Sequence, residues 1–276
     1  MDDNQSLSQM LQASKTDKQS QQTYTITENW MQGRTTYGGL SASLCLDAVL
    51  KQHSDLPPLR SAQITFVGPV SGDVQVQVTT LRRGKSVASM HARLSNEAGV
   101  GTEAVFSFGK KRESRLNADF TKPFSVGKPE DAEEFFEGPF RPVFTENFDC
   151  RLVSGARPVS GSSTSEMLLW VRYNQSKMNG GSTDPATNVD PHVSLLALAD
   201  MPPPAVLPMF DDFAPISSMT WMVNFLDHPT TDEKGWWLLR TAAENAKDGY
   251  SSQDMQVWDS SGRLVVTGRQ SVAIFY

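Results

Sequence analysis

Hydrophobic and polar residues alternate in several segments of the first half of the chain, and one segment breaks the alternation. Val74, Val76 and Val78 are separated by polar residues, which is the two-residue period of a half-buried strand. Between Leu40 and Leu50 the chain is instead rich in alanine and leucine, which predicts a mostly buried helix ended by the polar, proline-containing stretch 52–58. The first half therefore predicts a strand at 24–30, this helix, and antiparallel strands at 62–67, 74–78, 86–94 and 100–108.

The same order of elements returns in the second half. Asp190-Pro191 is a helix-start signal with proline in the first turn, and it precedes the apolar run 193–199. Three consecutive prolines at 202–204 must end this second buried helix. Strand patterns are predicted at 144–153, 166–173, 216–226, 236–243, 253–258 and 264–275, with a polar loop at 174–188.

Three short segments of the first half resemble segments of the second in the same order. They are Ile64-Thr65-Phe66 with Val223-Asn224-Phe225, 94–99 with 257–262, and 104–108 with 271–275. An antiparallel sheet wrapped around a helix buries the face that the helix cannot bury alone. We therefore predict an α+β fold with two helix-wrapped antiparallel sheets, fused in one chain and forming a continuous sheet. Two unrelated α+β segments are the alternative. The predicted units are a flexible lead-in (1–22), a first unit (23–110), a linker (111–142) and a second unit (143–276).

Composition and charge exclude several classes of function. The chain has 276 residues, 38% hydrophobic and 20% charged, as in globular proteins. Its net charge of -6, with one short basic stretch at 110–115, argues against nucleic acid as the main ligand. Two isolated cysteines, a polar N-terminus and no apolar window long enough to cross a bilayer predict a cytoplasmic protein without a membrane span.

Common catalytic motifs are missing, and the four histidines have no ligand spacing, so we expect neither a metal nor another cofactor. Two polar residues stand out instead. Asp200 follows the second buried helix, where the helix dipole disfavours a carboxylate; it is a candidate base, or else an exposed acid beside a proline turn. Gln270 shares a strand face with Val266 and Val272, so its amide needs buried partners, either a catalytic water or neighbouring backbone.

Four short motifs carry a family resemblance. They are Tyr37-Gly38-Gly39 before the first helix, Asp200 in Leu198-Ala199-Asp200-Met201-Pro202, Ser218 before the strand that holds Trp221, and Gln270 in the last strand. Over about 24–276 the chain resembles the thioesterase II (TesB-like) family of acyl-CoA hydrolases. The resemblance implies a double-hotdog fold, an acyl-CoA substrate, no cofactor and assembly as a homo-oligomer.

The resemblance also implies roles for individual residues. Asp200, Ser218 and Gln270 would hold a water against the thioester carbonyl, and an N–H at a helix N-terminus would polarise that carbonyl. Tyr37, Gly38, Gly39 and Trp221 would contact the substrate. The family's best-known members have threonine where this chain has Ser218, so Ser217 or Thr220 could supply the hydroxyl instead. In the first copy, Asp47 and Glu103 occupy the places that match Asp200 and Gln270, and whether they form a second, diverged site is left open.

Two other functions remain open from the sequence. A hotdog protein whose site has drifted would bind acyl-CoA or lipid without catalysis. A hotdog hydratase or dehydratase would use an Asp/Glu–His pair, and the sequence lacks the Asp-x-Asn-x-x-His pattern of such enzymes. Thioester hydrolysis is the function that the sequence favours.

Overall fold

The chain is represented by a computed structural model that describes residues 4–121, 125–137, 141–174 and 188–276. Most of the polar loop predicted at 174–188 lies outside these residues. The described residues form three α-helices: α1 (Leu7–Ala13), α2 (Gly38–Gln52) and α3 (Pro191–Ala199). The two predicted buried helices correspond to α2 and α3.

The strands fall into two groups, one in each half. Those of the first half are β1 (Lys15–Thr16), β2 (Gln22–Thr25), β3 (Met31–Gln32), β4 (Thr35–Thr36), β5 (Leu59–Phe66), β6 (Asp73–Arg83), β7 (Val87–Asn96) and β8 (Gly99–Gly109). Those of the second half are β9 (Glu133–Glu134), β10 (Phe148–Gly155), β11 (Glu166–Tyr173), β12 (Ile216–Phe225), β13 (Trp237–Lys247), β14 (Tyr250–Trp258) and β15 (Leu264–Ile274).

Thirteen of these strands form one sheet, in the order β1-β2-β6-β7-β8-β5-β12-β15-β14-β13-β11-β10-β9. The two halves meet where β5 pairs antiparallel with β12, with Gln63 opposite Met222. β3 and β4 form a separate two-stranded hairpin. The predicted continuous sheet of two fused, helix-wrapped units is therefore confirmed.

α2 and α3 pack against each other inside the sheet. The Ser43 hydroxyl donates to the Val193 carbonyl at 2.9 Å, and the Tyr37 hydroxyl donates to the Ala197 carbonyl at 2.8 Å. Small residues allow this approach: a Cβ on Gly39 would lie 2.7 Å from the Ala197 carbonyl oxygen. The N-terminal end of α2 therefore lies beside the C-terminal end of α3.

Residues 7–13 lie within the predicted lead-in (1–22). They form α1, whose N-terminus has a capping box between Ser6 and Gln9, and Leu7, Met10 and Leu11 are buried in the main core. The polar composition of this segment hides an i, i+3, i+4 apolar stripe, which is the pattern of a helix packed on one face. The other predicted unit boundaries stay predictions.

Within the described part of the chain, no helix has the length and apolar character required to cross a membrane. The predicted linker, for its part, contributes to the fold. β9 pairs with β10 at the sheet edge, and Phe135 is buried in the main core.

Candidate active site

Asp200 is the C-cap residue of α3, and its carboxylate faces the first turn of α2. Its Oδ1 accepts a hydrogen bond from Gln270 Nε2 at 2.5 Å, and the backbone N–H of Gly39 donates to the same carboxylate. A Cβ on Gly38 would lie 2.8 Å from Asp200 Oδ2, so only glycine lets the helix approach this closely. The side chain of Tyr37, the N-cap residue of α2, makes no capping hydrogen bond. The carboxylate of Asp200, at the C-terminal end of α3, instead accepts the hydrogen bond from the first turn of α2.

This arrangement changes the electrostatic argument for Asp200. The carboxylate lies at the negative end of the α3 dipole, as the sequence predicts, but also at the positive end of the longer α2. Burial still dominates and raises the pKa of Asp200 to about 7, although the hydrogen bonds from Gln270 and Gly39 act to lower it. A carboxylate with this pKa is partly ionised at neutral pH and can take a proton from a bound water.

Gln270 is held in position by a residue that the sequence analysis missed. Gln253 lies opposite Gln270 in the neighbouring strand β14, and its Nε2 donates to Gln270 Oε1 at 3.1 Å. Gln253 Oε1 in turn accepts from the backbone N–H of Ala205 at 2.7 Å. Strand alternation could have revealed it, because Gln253 shares its buried face with Met255 and Val257.

The strand register separates the three candidate hydroxyls. Ser218 pairs with Val272 and Trp221 with Gln270, and the pairing shifts by one residue between Ser218 and Thr220. Directly paired residues project from the same face of a sheet, so Ser218 lies on the inner face with Gln270. Thr220 and Ser217 are exposed and lie on the opposite face. The bulge at Met219 thus favours Ser218, whose role as the site hydroxyl stays a prediction.

Tyr37 and Trp221 are core residues, with 1% of their surface exposed. The Tyr37 ring stacks on Phe144 at 4.1 Å between centroids, while its hydroxyl holds the end of α3. Trp221 Nε1 donates to the sulfur of Met255. Both side chains are thus held within the core, and their predicted contact with substrate stays a prediction.

The two residues proposed for a second site in the first copy face different ways. Asp47 lies near the C-terminus of α2, where its carboxylate accepts from the Tyr24 hydroxyl at 2.6 Å and pairs with Lys51 at 2.8 Å. Glu103 instead binds His91 and Arg93, between the buried Thr102 and Ala104 of its strand. The alignment of Glu103 with Gln270 is therefore wrong. Phe106 pairs with Ala62 of β5 in the same way that Gln270 pairs with Trp221 of β12, so Phe106 holds the place of Gln270 in the first copy.

Asp47 also borders a cavity of about 390 Å³, beside α1 and the start of α3. Its carboxylate is already engaged by a phenol and an ammonium group. Among the residues with described coordinates, no group of three or more His, Cys, Asp or Glu side chains is arranged to hold a metal ion.

Comparisons with known proteins agree with this fold. The acyl-CoA thioesterase N-terminal domain matches residues 26–109, and the acyl-CoA thioesterase C-terminal domain matches residues 125–274. A search of curated proteins gives no match to this chain.

Solved structures with the same fold have low sequence identity to the chain. A conserved protein of unknown function with a hot dog fold from Alicyclobacillus acidocaldarius is 22% identical, with a TM-score of 0.80 over 97% of both chains. A putative thioesterase II from Thermobifida fusca is 18% identical, with a TM-score of 0.78 over 99% of this chain and 98% of that one. An acyl-CoA thioesterase II, TesB2, from Mycobacterium marinum is 15% identical, with a TM-score of 0.73 over 97% of both chains.

The structural neighbours show the fold, and the two domain matches together cover most of the sequence, one domain in each half. The chain therefore belongs to the acyl-CoA thioesterase family and is a thioester hydrolase with a double-hotdog fold.

Proposed function

We propose that this chain hydrolyses a fatty or related acyl-CoA to the free acid and CoA, using a water held by Asp200, Gln270 and Ser218. The observation that carries the proposal is the Gln270–Asp200 hydrogen bond of 2.5 Å at the N-terminus of α2, where the N-cap residue Tyr37 makes no side-chain capping bond. It puts a base of nearly neutral pKa beside backbone donors that can bind an oxyanion.

In this mechanism the ionised Asp200 accepts a proton from the water as the water oxygen attacks the thioester carbonyl carbon. The carbonyl oxygen gains the negative charge and is stabilised by N–H groups of the first turn of α2 that Asp200 leaves free, such as that of Gly38. The tetrahedral intermediate collapses by breaking the C–S bond. The CoA sulfur leaves as a thiolate and accepts from Asp200 the proton that came from the water. No acyl-enzyme forms.

Gln270 and Ser218 have supporting roles in this scheme. The Gln270 amide donates to Asp200 and favours the ionised form that acts as the base. The Ser218 hydroxyl, on the same sheet face, accepts the second hydrogen of the water and fixes its lone pair toward the carbonyl carbon. We propose that the first copy is not catalytic, because Asp47 is engaged by Tyr24 and Lys51.

A thiol-release assay tests the proposal. Purified protein is given acyl-CoAs from short to long chain, and free CoA is followed with a thiol-reactive dye. We expect wild type to release CoA and Asp200→Asn to be slower by about a hundredfold or more, as for the loss of a general base. Asp47→Asn, the matching change in the first copy, should keep the wild-type rate per folded protein.

Other outcomes would change the assignment. Wild type that binds acyl-CoA but releases no thiol at any chain length would favour a non-catalytic acyl-CoA-binding protein. Asp200→Asn with full activity would refute the site. The acyl-CoA series also gives the preferred chain length, and the same assay with acyl carrier protein tests the choice of acyl donor. Light scattering tests the proposed homo-oligomer, and cell fractionation tests the proposed cytoplasmic location.

A further inference from the structure

A chain of three hydrogen bonds connects the proline-rich segment after α3 to the carboxylate of Asp200. The Ala205 N–H donates to Gln253 Oε1 at 2.7 Å, Gln253 Nε2 donates to Gln270 Oε1 at 3.1 Å, and Gln270 Nε2 donates to Asp200 Oδ1 at 2.5 Å. Gln253 and Gln270 are 2% and 7% exposed, so water has little access to replace these partners.

The first link fixes the direction of every later one. A backbone N–H can only donate, so Gln253 must turn its amide oxygen toward Ala205 and its NH₂ group toward Gln270. Gln270 must then accept with its oxygen and present its own NH₂ group to Asp200. If Gln270 were flipped, two NH₂ groups would face each other in a buried place, which leaves polar groups unpaired at substantial cost.

We propose that Gln253 is a positioning residue, which holds the Gln270 amide in the orientation that donates to Asp200. The proposal rests on the proposed function only for its kinetic readout. An NH₂ group facing Asp200 stabilises the carboxylate, whereas a flipped oxygen would accept from the protonated acid. By preventing the flip, Gln253 favours the form of Asp200 that serves as the base.

Few other groups can titrate beside Asp200. In the described contacts, α2 presents Gly38 and Gly39 to it and β15 presents Gln270, and none of these is titratable. The remaining group is Tyr37, whose pKa is raised well above its usual value, first by burial and then by the charge of Asp200. Tyr37 therefore stays neutral in an assay from pH 5 to 9.

The test compares pH profiles of kcat/KM for wild type, Gln253→Met, Gln270→Met and the double variant. Methionine keeps the length of glutamine but forms no strong hydrogen bond. We expect Gln253→Met to raise the midpoint by about half a unit to one unit, the size of one net hydrogen bond, with the high-pH rate within about threefold of wild type. The double variant should shift no further than Gln270→Met alone. Gln256→Met, in the same strand, is the matched control and should leave the midpoint unchanged.

An unshifted midpoint in Gln253→Met, additive shifts in the double variant, or an equal loss of rate at all pH values would each overturn the proposal. The same four proteins are also unfolded in urea from pH 5 to 9, which follows the ionisation of Asp200 without any substrate. If wild type has no thioesterase activity, the proposed function fails, and the urea midpoints still decide the role of Gln253.

A measurement on wild type covers the case in which Gln253→Met does not fold. With ¹⁵N-labelled glutamine, the side-chain NH₂ signals of Gln270 and Gln253 should both shift with pH at one common midpoint. A Gln253 signal that does not respond to pH would contradict the coupling.

Discussion

Replacing Asp200 with asparagine should make the folded protein more stable at neutral and alkaline pH. Burial raises the pKa of Asp200 from 3.8 to about 7, so between these values the folded state binds more protons than the unfolded state. The contribution of Asp200 to the free energy of unfolding is therefore fully present below about pH 4 and is lost as the pH rises through 7. Asparagine has the same shape but does not titrate, so Asp200→Asn removes this loss.

The size of the effect follows from the shift in pKa. One pKa unit corresponds to about 1.4 kcal/mol, so wild type should lose up to about 4 kcal/mol relative to Asp200→Asn between pH 4 and pH 8. For a chain of this length that is roughly 8 °C in Tm. The part of this gap between pH 5 and pH 8 should be about 3 kcal/mol, because folded-state Asp200 ionises mainly in that interval.

Urea unfolding of both proteins at half-unit steps from pH 5 to 8 measures the gap. Asp212→Asn, in which the carboxylate removed is exposed, controls for the loss of one negative charge. If the difference in the free energy of unfolding between wild type and Asp200→Asn were constant across this range, burial would not disfavour the ionised form of Asp200 in the folded protein. The assignment of a nearly neutral base would then be refuted.

Three further predictions concern the site and its surroundings. The kcat/KM for acyl-CoA should rise about tenfold per pH unit below pH 7 and level off above it, as expected for a base that must be ionised; a flat profile between pH 5 and 8 would exclude this role for Asp200. Gly38→Ala should lower kcat/KM at least about tenfold, because the new Cβ would lie 2.8 Å from Asp200 Oδ2. Gly127→Ala is the control and should keep the wild-type rate, because its Cβ would meet no atom within 4 Å. Equal rates in the two variants would contradict the close approach of α2 to Asp200. Lys51→Met should destabilise the protein by about 1 to 3 kcal/mol but keep its activity, because Lys51 Nζ donates to the Leu11 carbonyl at 2.6 Å and so holds α1 against α2. Unchanged urea unfolding would show that this hydrogen bond adds nothing to the stability of the protein.

The sequence predicts the elements that have a clear period or a strong boundary signal. The alternation in β6 and the alanine- and leucine-rich stretch of α2 are read directly, and so is the order of elements that repeats in the second half. Asp200 and Gln270 are 70 residues apart, yet both are singled out by local reasoning: one carboxylate at a helix end and one amide on a buried strand face. The structure brings them together, as the family resemblance implies.

What the sequence does not predict depends on register. An alignment error of any odd number of residues turns a side chain to the opposite face of a strand. The match of Glu103 to Gln270 is off by three residues, since Phe106 holds the corresponding place, and Glu103 points away from the helices. The bulge at Met219 leaves no mark in the sequence pattern, yet it decides which hydroxyl shares the face of Gln270. The role of Gln253 depends on the backbone N–H of Ala205, 48 residues away, which local patterns do not reveal.

The origin of the oxygen in the product acid tests the central claim most directly. Wild-type enzyme in excess over acyl-CoA, in water enriched in ¹⁸O, carries out a single turnover, and the free acid is analysed by mass spectrometry. Direct attack by a water held at Asp200 and Gln270 predicts that the acid formed in this first turnover carries one solvent oxygen. Unlabelled acid would mean that an oxygen of the protein had been transferred, and it would contradict the account.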